Sequence, residues 1–255
     1  MDLRVIGCHG GETPKHRTSA FVVGGRLAID AGSITSGMTV ADQAELGACL
    51  VSHAHLDHVR DLATLADNRC QMRCAPLVIA GTRETLAALR VHFFNNLIWP
   101  DFSKIPSEDQ PTIVFQEIPL EAPVQIGGYT VRAVPVSHTI EASGFIIDDG
   151  RDAIAYSGDT GPTERFWEVL NEVPNLRGLL MEVSFPNEEQ GLATASGHHT
   201  PRTLAADLAK YRAPADLPTL LYHIKPVFQS VVERECARLQ GLSLQVVQLQ
   251  DQFAL

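Results

Sequence analysis

The sequence predicts a single α/β domain in which short strands alternate with helices. Short apolar runs typical of buried strands recur along the 255 residues, and segments with helical spacing of apolar residues separate them. No linker, low-complexity tract or short repeat divides the chain, whose length allows one large domain or two small ones. Polar side chains follow the ends of several predicted strands, where open α/β sheets place their ligands.

The first half of the chain contains five predicted strands and three predicted helices. The strands are expected at residues 3–8, 20–23, 26–30, 48–52 and 77–80. The helices are expected near residues 40–47, 60–68 and 83–94. Gly24 and Gly25 suit the tight turn of a hairpin between the second and third strands. Thr82 has a side chain that caps helix N-termini, so the third helix is expected to begin just after it.

The second half continues the alternation. Strands are expected at residues 112–118, 129–136, 144–147, 153–156, 176–183, 219–222 and 243–249. Helices are expected at residues 163–172, 200–211 and 226–240. Asp148-Asp149-Gly150 predicts the turn of a second hairpin. Pro162 is expected at the first turn of the helix that follows it.

Composition and charge restrict the class of protein. Apolar residues make up 45% of the chain, and no stretch approaches the ~20 apolar residues that cross a bilayer. The N-terminus shows no basic leader followed by an apolar segment, and the five cysteines form no disulfide-like framework. We therefore expect a cytoplasmic protein without a membrane partner. The net charge of −10 argues against a large nucleic acid as partner but is compatible with a small anionic substrate.

A dense cluster of histidines follows one of the predicted strands, where residues 52–58 read Ser-His-Ala-His-Leu-Asp-His. Imidazole and carboxylate groups suit Zn²⁺ and related first-row ions. His53 and His55 are expected to converge on one ion at a bend that precedes the next helix. Asp57 and His58 lie too far along the turn to join them easily, so they predict a second ion. The alternative is a histidine-rich surface loop without metal.

Single polar residues follow four other predicted strands. They are Asp30, His138, Asp159 and His223. Taken alone, a histidine such as His138 is usually a core or surface residue, and an Asp in Gly-Asp-Thr-Gly usually belongs to a turn. Because each of these residues ends a separate strand, their joint occurrence favours metal ligation together with residues 53–58.

Residues 95–111 are aromatic, interrupted by proline and irregular in pattern. One interpretation is a loop packed on the surface. The other is a lid that covers the metal pocket and offers Trp99 or Phe102 as an apolar platform for a substrate. The residues alone leave both interpretations open.

The order of these motifs resembles that of the metallo-β-lactamase superfamily: His-x-His-x-Asp-His at 53–58, then His138, Asp159 and His223. The resemblance covers essentially the whole chain. It implies a four-layer αβ/βα sandwich with two metal ions at the edge where its two sheets meet. The ligands that it implies for the first ion are His53, His55 and His138, and those for the second are Asp57, His58 and His223. Asp159 would be the bridging carboxylate, and Asp30 would orient the loop.

The superfamily includes lactamases, thiolesterases, lactonases and phosphodiesterases, so other residues must identify the reaction. A carboxylate that bridges two ions is what two-metal phosphatases and nucleases require. The stretches at 181–185 (Met-Glu-Val-Ser-Phe) and 197–200 (Gly-His-His-Thr) resemble paired motifs of ribonuclease Z. In that family a Glu and a His support the scissile phosphate and the leaving group, and the resemblance places Glu182 and His198 in these roles. The alternative is that Glu182 pairs with a cation and His198 caps a helix.

Further stretches resemble the class II cyclic-nucleotide phosphodiesterases. They read Asn-x-Ile-Trp-Pro-Asp-Phe at 96–102, Ser-Gly-Asp-Thr-Gly at 157–161, Glu-Val-Ser-Phe-Pro-Asn at 182–187, Gly-His-x-Thr-Pro at 197–201 and His-Ile-Lys-Pro at 223–226. The substrate contacts implied are Asn96, Trp99, Phe102 and Lys225, of which Lys225 is alternatively a surface lysine. Asp61 departs from the family pattern, which usually has Gly there, so the local backbone is expected to differ without affecting the ligands.

The resemblance implies hydrolysis of 3′,5′-cyclic nucleotides, cAMP first with cGMP as an alternative, to 5′-monophosphates. A hydroxide held between the two ions would be the nucleophile, and His198, tuned by Glu182, would protonate the leaving 3′-oxygen. Asp57 is counted with the catalytic residues as well as with the ligands. Two divalent ions are expected, with Zn²⁺ favoured over Mn²⁺ or Fe. A homodimer is expected from the family and from the frequency of two-fold dimers.

Other functions of this superfamily stay open. Ribonuclease Z carries a long tRNA-binding arm between its counterparts of His138 and Asp159, which are only 21 positions apart here. A thiolester, lactone or β-lactam hydrolase is the second alternative, although the segment after His223 is short for a glyoxalase-type helical domain. A non-catalytic nucleotide sensor is the third, and a missing ligand, which is not observed, would indicate it.

Overall fold

The computed structural model describes residues 1–212 and 217–255, and its first sheet has seven strands. These strands are β1 (Asp2–Gly7), β2 (Ala20–Val23), β3 (Leu27–Ile29), β4 (Ala48–Leu50), β5 (Leu77–Gly81), β6 (Ile113–Glu117) and β14 (Gln252–Ala254). Their order in the sheet is β14-β1-β2-β3-β4-β5-β6. Pairing is antiparallel from β14 to β3 and parallel from β3 to β6.

The second sheet also has seven strands and repeats this arrangement. Its strands are β7 (Pro123–Ile126), β8 (Tyr129–Pro135), β9 (Ser143–Asp148), β10 (Ala153–Tyr156), β11 (Leu176–Glu182), β12 (Thr219–Tyr222) and β13 (Leu244–Val246). Their order is β13-β12-β11-β10-β9-β8-β7. Pairing is antiparallel from β7 to β10 and parallel from β10 to β13. Each sheet therefore has a parallel half whose carboxyl ends can present side chains together.

Short helices form the outer layers. They are α1 (Ile34–Gly37), α2 (Val40–Glu45), α3 (Leu56–Val59), α4 (Leu62–Gln71), α5 (Arg83–Ala88), α6 (Arg165–Leu170), α7 (Gln190–Ser196), α8 (Pro201–Leu208) and α9 (Gln229–Cys236). Thr82 caps α5 by accepting the N–H of Thr85, as predicted. Within the described residues, no helix combines the length and the apolarity that a membrane span requires.

The core is divided into three apolar layers because side chains alternate along each strand. On β10, Ile154 and Tyr156 enter the cluster between the two sheets, whereas Ala153 and Ala155 enter the cluster shared with helices. The outer face of the first sheet packs in the same way against α1, α4 and α5. This order of helices, sheet, sheet and helices confirms the four-layer αβ/βα sandwich.

Several element boundaries differ from the sequence prediction. The first helical turn after β4 begins at Leu56, inside the histidine cluster, and not near residue 60. The helix expected at 163–172 begins at Arg165, so Pro162 precedes it. The edge strands β7 and β14 and the helix α7 were not predicted, because they are short and lack a strong apolar pattern.

The segment 95–111 is irregular, as predicted, and is tied to the helical layer of the first sheet. Phe102 is 5% exposed and packs, with Trp99 at the margin, in the apolar cluster on the outer face of that sheet. The N–H of Thr112 lies 2.7 Å from the carbonyl of Ile105 and 3.1 Å from that of Phe102, where the chain enters β6. This packing corresponds to the surface-loop interpretation, and the lid stays a prediction.

Candidate metal centre

The histidine cluster lies at the carboxyl end of β4, where the first sheet meets the second. The backbone N–H of Ser143, on β9, donates to the carbonyl of Ser52 at 3.0 Å and so joins this loop to the second sheet. The single turn of α3 then carries Asp57 and His58. His138, Asp159 and His223 follow β8, β10 and β12, so their strands deliver them to the same edge.

Three imidazoles form the first candidate group. His55 Nδ1 lies 3.1 Å from His53 Nε2 and 3.1 Å from His138 Nε2. The three nitrogen atoms lie within 4.8 Å of one another. Three ring nitrogens that converge in this way can share a cation, and they are the set predicted for the first ion.

The second candidate group combines two histidines with two carboxylates. Its members Asp57, His58, Asp159 and His223 place one ligand atom each within 4.8 Å of the others. His58 Nε2 and His223 Nε2 both lie 3.2 Å from Asp159 Oδ2. Asp57 Oδ2 lies 3.4 Å from His223 Nε2. The structure thus brings together all seven residues predicted as ligands.

The carboxylate of Asp159 lies between the two groups. Its Oδ2 is also 3.8 Å from Nε2 of His53, a member of the first group. Its Oδ1 is buried and has no hydrogen-bond partner. A buried carboxylate oxygen without a partner is costly unless a cation compensates it. The donor set and this orphaned oxygen therefore fit divalent metal ions at this site.

Four of the histidines use Nδ1 in hydrogen bonds with the protein. The partners of His53, His58, His138 and His223 are Ser52 Oγ (3.0 Å), Asp30 Oδ2 (2.7 Å), Gly197 O (2.9 Å) and Ser184 Oγ (2.9 Å) respectively. An imidazole that donates through Nδ1 leaves the lone pair of Nε2 free for a metal. These bonds orient the rings toward the shared centre.

Asp30 forms hydrogen bonds with residues of the histidine cluster and with the second sheet. Its carboxylate is buried and accepts the backbone N–H and the hydroxyl of Ser52, each at 2.8 Å. Tyr156 donates to the same carboxylate at 2.6 Å, and His58 completes the set. Asp30 itself adopts a φ of 55°, which is uncommon for a residue with a side chain. These contacts agree with the orienting role that the family resemblance implies.

Burial and neighbouring charges set the protonation of the site. Burial lowers the pKa of His53 and His223, which keeps these rings in the neutral form that binds metal. Burial opposes ionisation of Asp159, but His223 and His58 outweigh it and hold the pKa of Asp159 well below its usual range. Burial opposes protonation of His58, but Asp159 and Asp30 raise its pKa well above the ordinary value. A metal ion would compete with that proton for the ring.

Glu182, at the end of β11, supports the imidazole of His198. Its Oε1 accepts the backbone N–H of His199 at 2.9 Å and lies 3.3 Å from His198 Nδ1. Its Oε2 accepts the hydroxyl of Ser184 at 2.9 Å. Burial opposes protonation of His198, but the Glu182 carboxylate raises the pKa of His198 above its ordinary value. A buried imidazole supported by a carboxylate in this way can hold a proton.

His198 lies next to both candidate groups. Its ring stacks on His223 of the second group, with centroids 5.2 Å apart, and lies 5.0 Å from the ring of His138 in the first group. Ligand atoms of His138, Asp159 and His198 lie within 4.8 Å of one another. A group bound between the ions would therefore be close to His198.

Two backbone positions near the site require unusual conformations. Gly197 has a φ of 68°, and a Cβ there would lie 3.0 Å from Cα of His138 and 3.1 Å from its Nδ1. His223 has a φ of 69° without being glycine, and its N–H donates to the carbonyl of Cys8 at 2.7 Å. Such strain persists only where the surrounding contacts hold it, and it is common at functional sites.

The residues predicted to contact substrate divide into two groups. Lys225 lies close enough for its charge to oppose protonation of both His198 and His223. Asn96 uses Oδ1 within its own loop, where it accepts the N–H of Asp101. Phe102 is buried in the apolar cluster, so its ring has no free face to offer as a platform, contrary to the prediction. In the described part of the chain, no hydrogen bond or ring contact joins Asn96, Trp99 or Phe102 to the candidate ligands.

Sequence reasoning missed two residues that hold the site together. The hydroxyl of Ser184 bonds to Glu182, lies 2.9 Å from Nδ1 of His223 and lies 3.3 Å from Nδ1 of His198. Tyr156 donates to Asp30 across the two sheets. Ser184 lies within the motif at 182–187, and Tyr156 directly precedes the motif at 157–161. Their positions in or beside these motifs could have indicated a role in the site.

Two curated proteins are similar to this chain over most of its length. The "Probable 3′,5′-cyclic-nucleotide phosphodiesterase" of Yersinia pestis is 26% identical, over 90% of this chain and 79% of that protein. The "3′,5′-cyclic-nucleotide phosphodiesterase" of Aliivibrio fischeri is 28% identical, over 88% of this chain and 81% of that protein. Among solved structures, unliganded yeast PDE1 shares the fold, with a TM-score of 0.81 and 17% identity over 97% of each chain.

A family model described as the β-lactamase superfamily domain matches residues 33–224, which is more than half of the chain. The matched range includes all seven candidate ligands together with Glu182 and His198. The two facing sheets with helices outside them are the metallo-β-lactamase fold. The chain therefore belongs to the metallo-β-lactamase superfamily.

Proposed function

We propose that this protein is a metal-dependent phosphodiesterase that hydrolyses 3′,5′-cyclic nucleotides, cAMP first with cGMP as an alternative, to 5′-monophosphates. The observation that carries the proposal is the position of His198. This imidazole, supported by Glu182, lies beside both candidate ligand groups, where the leaving oxygen of a bound phosphodiester would be. The curated relatives are named for this reaction and match most of the chain, which supports the substrate class.

The candidate groups would hold two divalent ions. His53, His55 and His138 would bind one ion; Asp57, His58 and His223 would bind the other, and Asp159 would be shared. Zn²⁺ is the ion that we propose, because mixed imidazole and carboxylate ligands suit it, with Mn²⁺ and Fe as alternatives. When bound, two such ions lower the pKa of water and neutralise charge on phosphoryl oxygens.

His198 would act as the general acid. When water adds to phosphorus and the bond to the 3′-oxygen breaks, that oxygen must take up a proton. His198 directs Nδ1 to Glu182, so Nε2 is free to give the proton. Glu182 stabilises the protonated ring before the transfer, and the charge of Lys225 would attract a phosphate oxygen.

The chain between His138 and Asp159 favours a small substrate. It contains only β9, β10 and the turn between them, and these strands are fully paired within the second sheet. A tRNA-binding arm of the kind found in ribonuclease Z therefore has no counterpart in this interval. The net charge of −10 also suits a small nucleotide better than a tRNA.

Two further parts of the proposal concern location and assembly. All five cysteines are free, which agrees with the reducing cytoplasm that we propose as the compartment. We propose a homodimer because two-fold dimers are the commonest oligomers. Light scattering coupled to size-exclusion chromatography would measure the mass in solution, and a mass of one chain at working concentrations would refute the dimer.

A substrate panel tests the function. Protein reconstituted with Zn²⁺ would be assayed with cAMP, cGMP, 2′,3′-cAMP and bis-p-nitrophenyl phosphate, and with a thiolester and a lactone. We expect preference for the 3′,5′-cyclic compounds, and loss of that activity in Asp159→Ala. Turnover of the activated nitrophenyl ester alone would refute the substrate class. Turnover of only the thiolester or the lactone would refute the phosphodiesterase.

A further inference from the structure

Asp207 joins two loops of the site, although it contacts none of the candidate ligands. It is 2% exposed, on α8. Its Oδ2 accepts the backbone N–H of Thr163 at 2.9 Å and the indole N–H of Trp167 at 3.0 Å. Its Oδ1 accepts the ammonium of Lys210 at 2.6 Å. Three donors therefore fix this carboxylate in one orientation.

His199 faces the same carboxylate from the loop that carries His198. Its ring is fully buried, and its Nε2 lies 3.6 Å from Asp207 Oδ2 without any hydrogen-bond partner. Its Nδ1 lies 3.1 Å from the hydroxyl of Thr203. The hydroxyl of Thr203 also lies 3.1 Å from the carbonyl of Thr200, which accepts the N–H of Leu204 as well, so the hydroxyl can turn to donate to Nδ1. The ring proton is then on Nε2 and points at Asp207, whereas a lone pair there would be repelled by the carboxylate. At 3.6 Å the N–H and the carboxylate attract each other electrostatically, without a hydrogen bond.

Both loops reach Glu182. The backbone N–H of His199 donates at 2.9 Å to Glu182 Oε1, the oxygen that also faces Nδ1 of His198. The N–H of Thr160 lies 3.4 Å from the same oxygen. Thr160 belongs to the loop from Asp159 to Thr163, and Asp207 accepts the N–H of Thr163. Asp207 thus restrains both segments that flank Glu182.

We propose that Asp207 and His199 are positioning residues, which fix the loop whose backbone N–H holds Glu182 against His198. This inference rests on the proposed role of His198 as proton donor to the leaving oxygen. It goes beyond the family motif Gly-His-x-Thr-Pro, because residue 199 stands at its unspecified position. A role in catalysis and a role in folding alone predict different kinetics for variants at these two residues.

Two substitutions at residue 199 form a matched pair. His199→Phe removes the donor and keeps an aromatic ring, whereas the amide of His199→Gln can still donate to Asp207. Cyclic AMP has an alkoxide leaving group that needs an acid, whereas nitrophenolate leaves without protonation. We expect His199→Phe to lower kcat for cAMP about tenfold or more, while KM for cAMP changes far less. The kcat for bis-p-nitrophenyl phosphate should also change far less. His199→Gln should restore most of the lost rate, and Asp207→Asn should resemble His199→Phe.

Asn175→Ala is the control for stability. Its side chain donates to Oδ2 of Asp148 at 3.0 Å and to the carbonyl of Arg151 at 3.3 Å, at the opposite end of β11 from Glu182. Melting temperature and bound zinc would be measured for every variant. An equal loss on both substrates in His199→Phe, or the same cAMP defect in Asn175→Ala, would overturn the proposal. If Asp207→Asn does not fold, the comparison of His199→Phe with His199→Gln still tests the proposal.

A spectroscopic readout separates this inference from the proposed function. The ring N–H of His198 that bonds to Glu182 should give a downfield proton resonance in the metal-free protein. We expect that resonance to be lost in His199→Phe and kept in His199→Gln and Asn175→Ala. An unchanged resonance in His199→Phe would overturn the positioning role. A wild-type protein inactive on every phosphodiester would refute the proposed function, while the resonance would still test the positioning.

Discussion

The hydroxyl of Tyr156 donates a 2.6 Å hydrogen bond to Oδ2 of Asp30, and this bond crosses from one sheet to the other. Asp30 follows β3 of the first sheet, and Tyr156 ends β10 of the second. The same oxygen accepts the hydroxyl of Ser52 at 2.8 Å and lies 2.7 Å from Nδ1 of His58. One carboxylate therefore couples the junction of the sheets to the orientation of a candidate metal ligand.

Tyr156→Phe should lower the free energy of unfolding of the metal-free protein by about 1.5–3 kcal/mol, because the lost bond has a charged acceptor. Tyr222→Phe is the matched control. Tyr222 donates to the neutral carbonyl of Gly158 at 2.7 Å, so its loss should be about 1 kcal/mol. Urea unfolding of both variants measures the difference. A loss for Tyr156→Phe no larger than that for Tyr222→Phe would contradict the coupling between the sheets and Asp30.

The seven ligand candidates were predictable because they follow strands, and strand ends bring distant residues to one edge without any knowledge of loop geometry. The positions of loop residues were harder to predict. Phe102 has the pattern of an exposed aromatic platform, but the loop folds back and buries it. The sequence did not predict the contact between Tyr156 and Asp30, because a tyrosine at the end of one strand does not indicate which residue of the other sheet lies opposite it.

The effect of Asp61, which departs from the family pattern, could be interpreted only with the structure. The sequence suggested that replacing glycine here would alter the backbone. Asp61 adopts a φ of −80°, which needs no glycine, and its side chain accepts the N–H and the hydroxyl of Thr35 at 2.9 and 2.7 Å. The carboxylate thus connects α4 to α1. Thr35, which is distant in sequence, and Arg60, whose Nε donates to Oδ1 at 3.0 Å, give this carboxylate its partners.

Asp159→Ala should reduce bound zinc from two ions per chain to one or fewer. The substitution removes the oxygen that faces both His58 and His223 and the orphaned oxygen beside it. The kcat for cAMP should fall by more than about 100-fold. Metal analysis after gel filtration measures the stoichiometry. Asp152→Asn, which affects only the partly exposed pair with Arg177, should keep both ions, and two ions in Asp159→Ala would contradict the shared role.

The rate for cAMP should decline on the alkaline side as His198 loses its proton. Because Glu182 raises the pKa of His198, the acid form persists above the ordinary range and is lost as the pH rises through the raised pKa. Glu182→Gln removes the anion, so the alkaline limb of kcat should move to lower pH. Bis-p-nitrophenyl phosphate, whose leaving group needs no acid, should not show this shift. An unmoved limb in Glu182→Gln would contradict the assignment of the acid.

Thiol labelling should distinguish two cysteines from the other three. Burial raises the pKa of Cys8 and Cys236 to about 12, and Cys49 is also fully buried. Cys70 and Cys74 are partly exposed. A thiol reagent at pH 8 should therefore react quickly with two groups in the native protein and with five after denaturation. Rapid reaction of more than two thiols in the native protein would show that the core opens more readily than this packing suggests.

Gly197→Ala should impair binding of the first ion. A Cβ at this position would press on Cα and Nδ1 of His138, at 3.0 and 3.1 Å, while the carbonyl of Gly197 bonds to that same nitrogen. The φ of 68° adds strain of about 1 kcal/mol for a residue with a side chain. We expect a zinc affinity at least tenfold weaker, in the range seen when residues that orient a ligand are changed.

Two other glycines separate contact from strain in this prediction. Gly241 has a φ of 75°, and no atom lies within 4 Å of the point that a Cβ would occupy, so Gly241→Ala introduces strain alone. Gly191 lies in α7 with open space and an ordinary φ, so Gly191→Ala introduces neither. Zinc titration of the three variants should show weaker binding only in Gly197→Ala, while Gly241→Ala loses stability alone. Equal affinity in all three would mean that His138 can move without cost, and that the bond to Gly197 does not set its orientation.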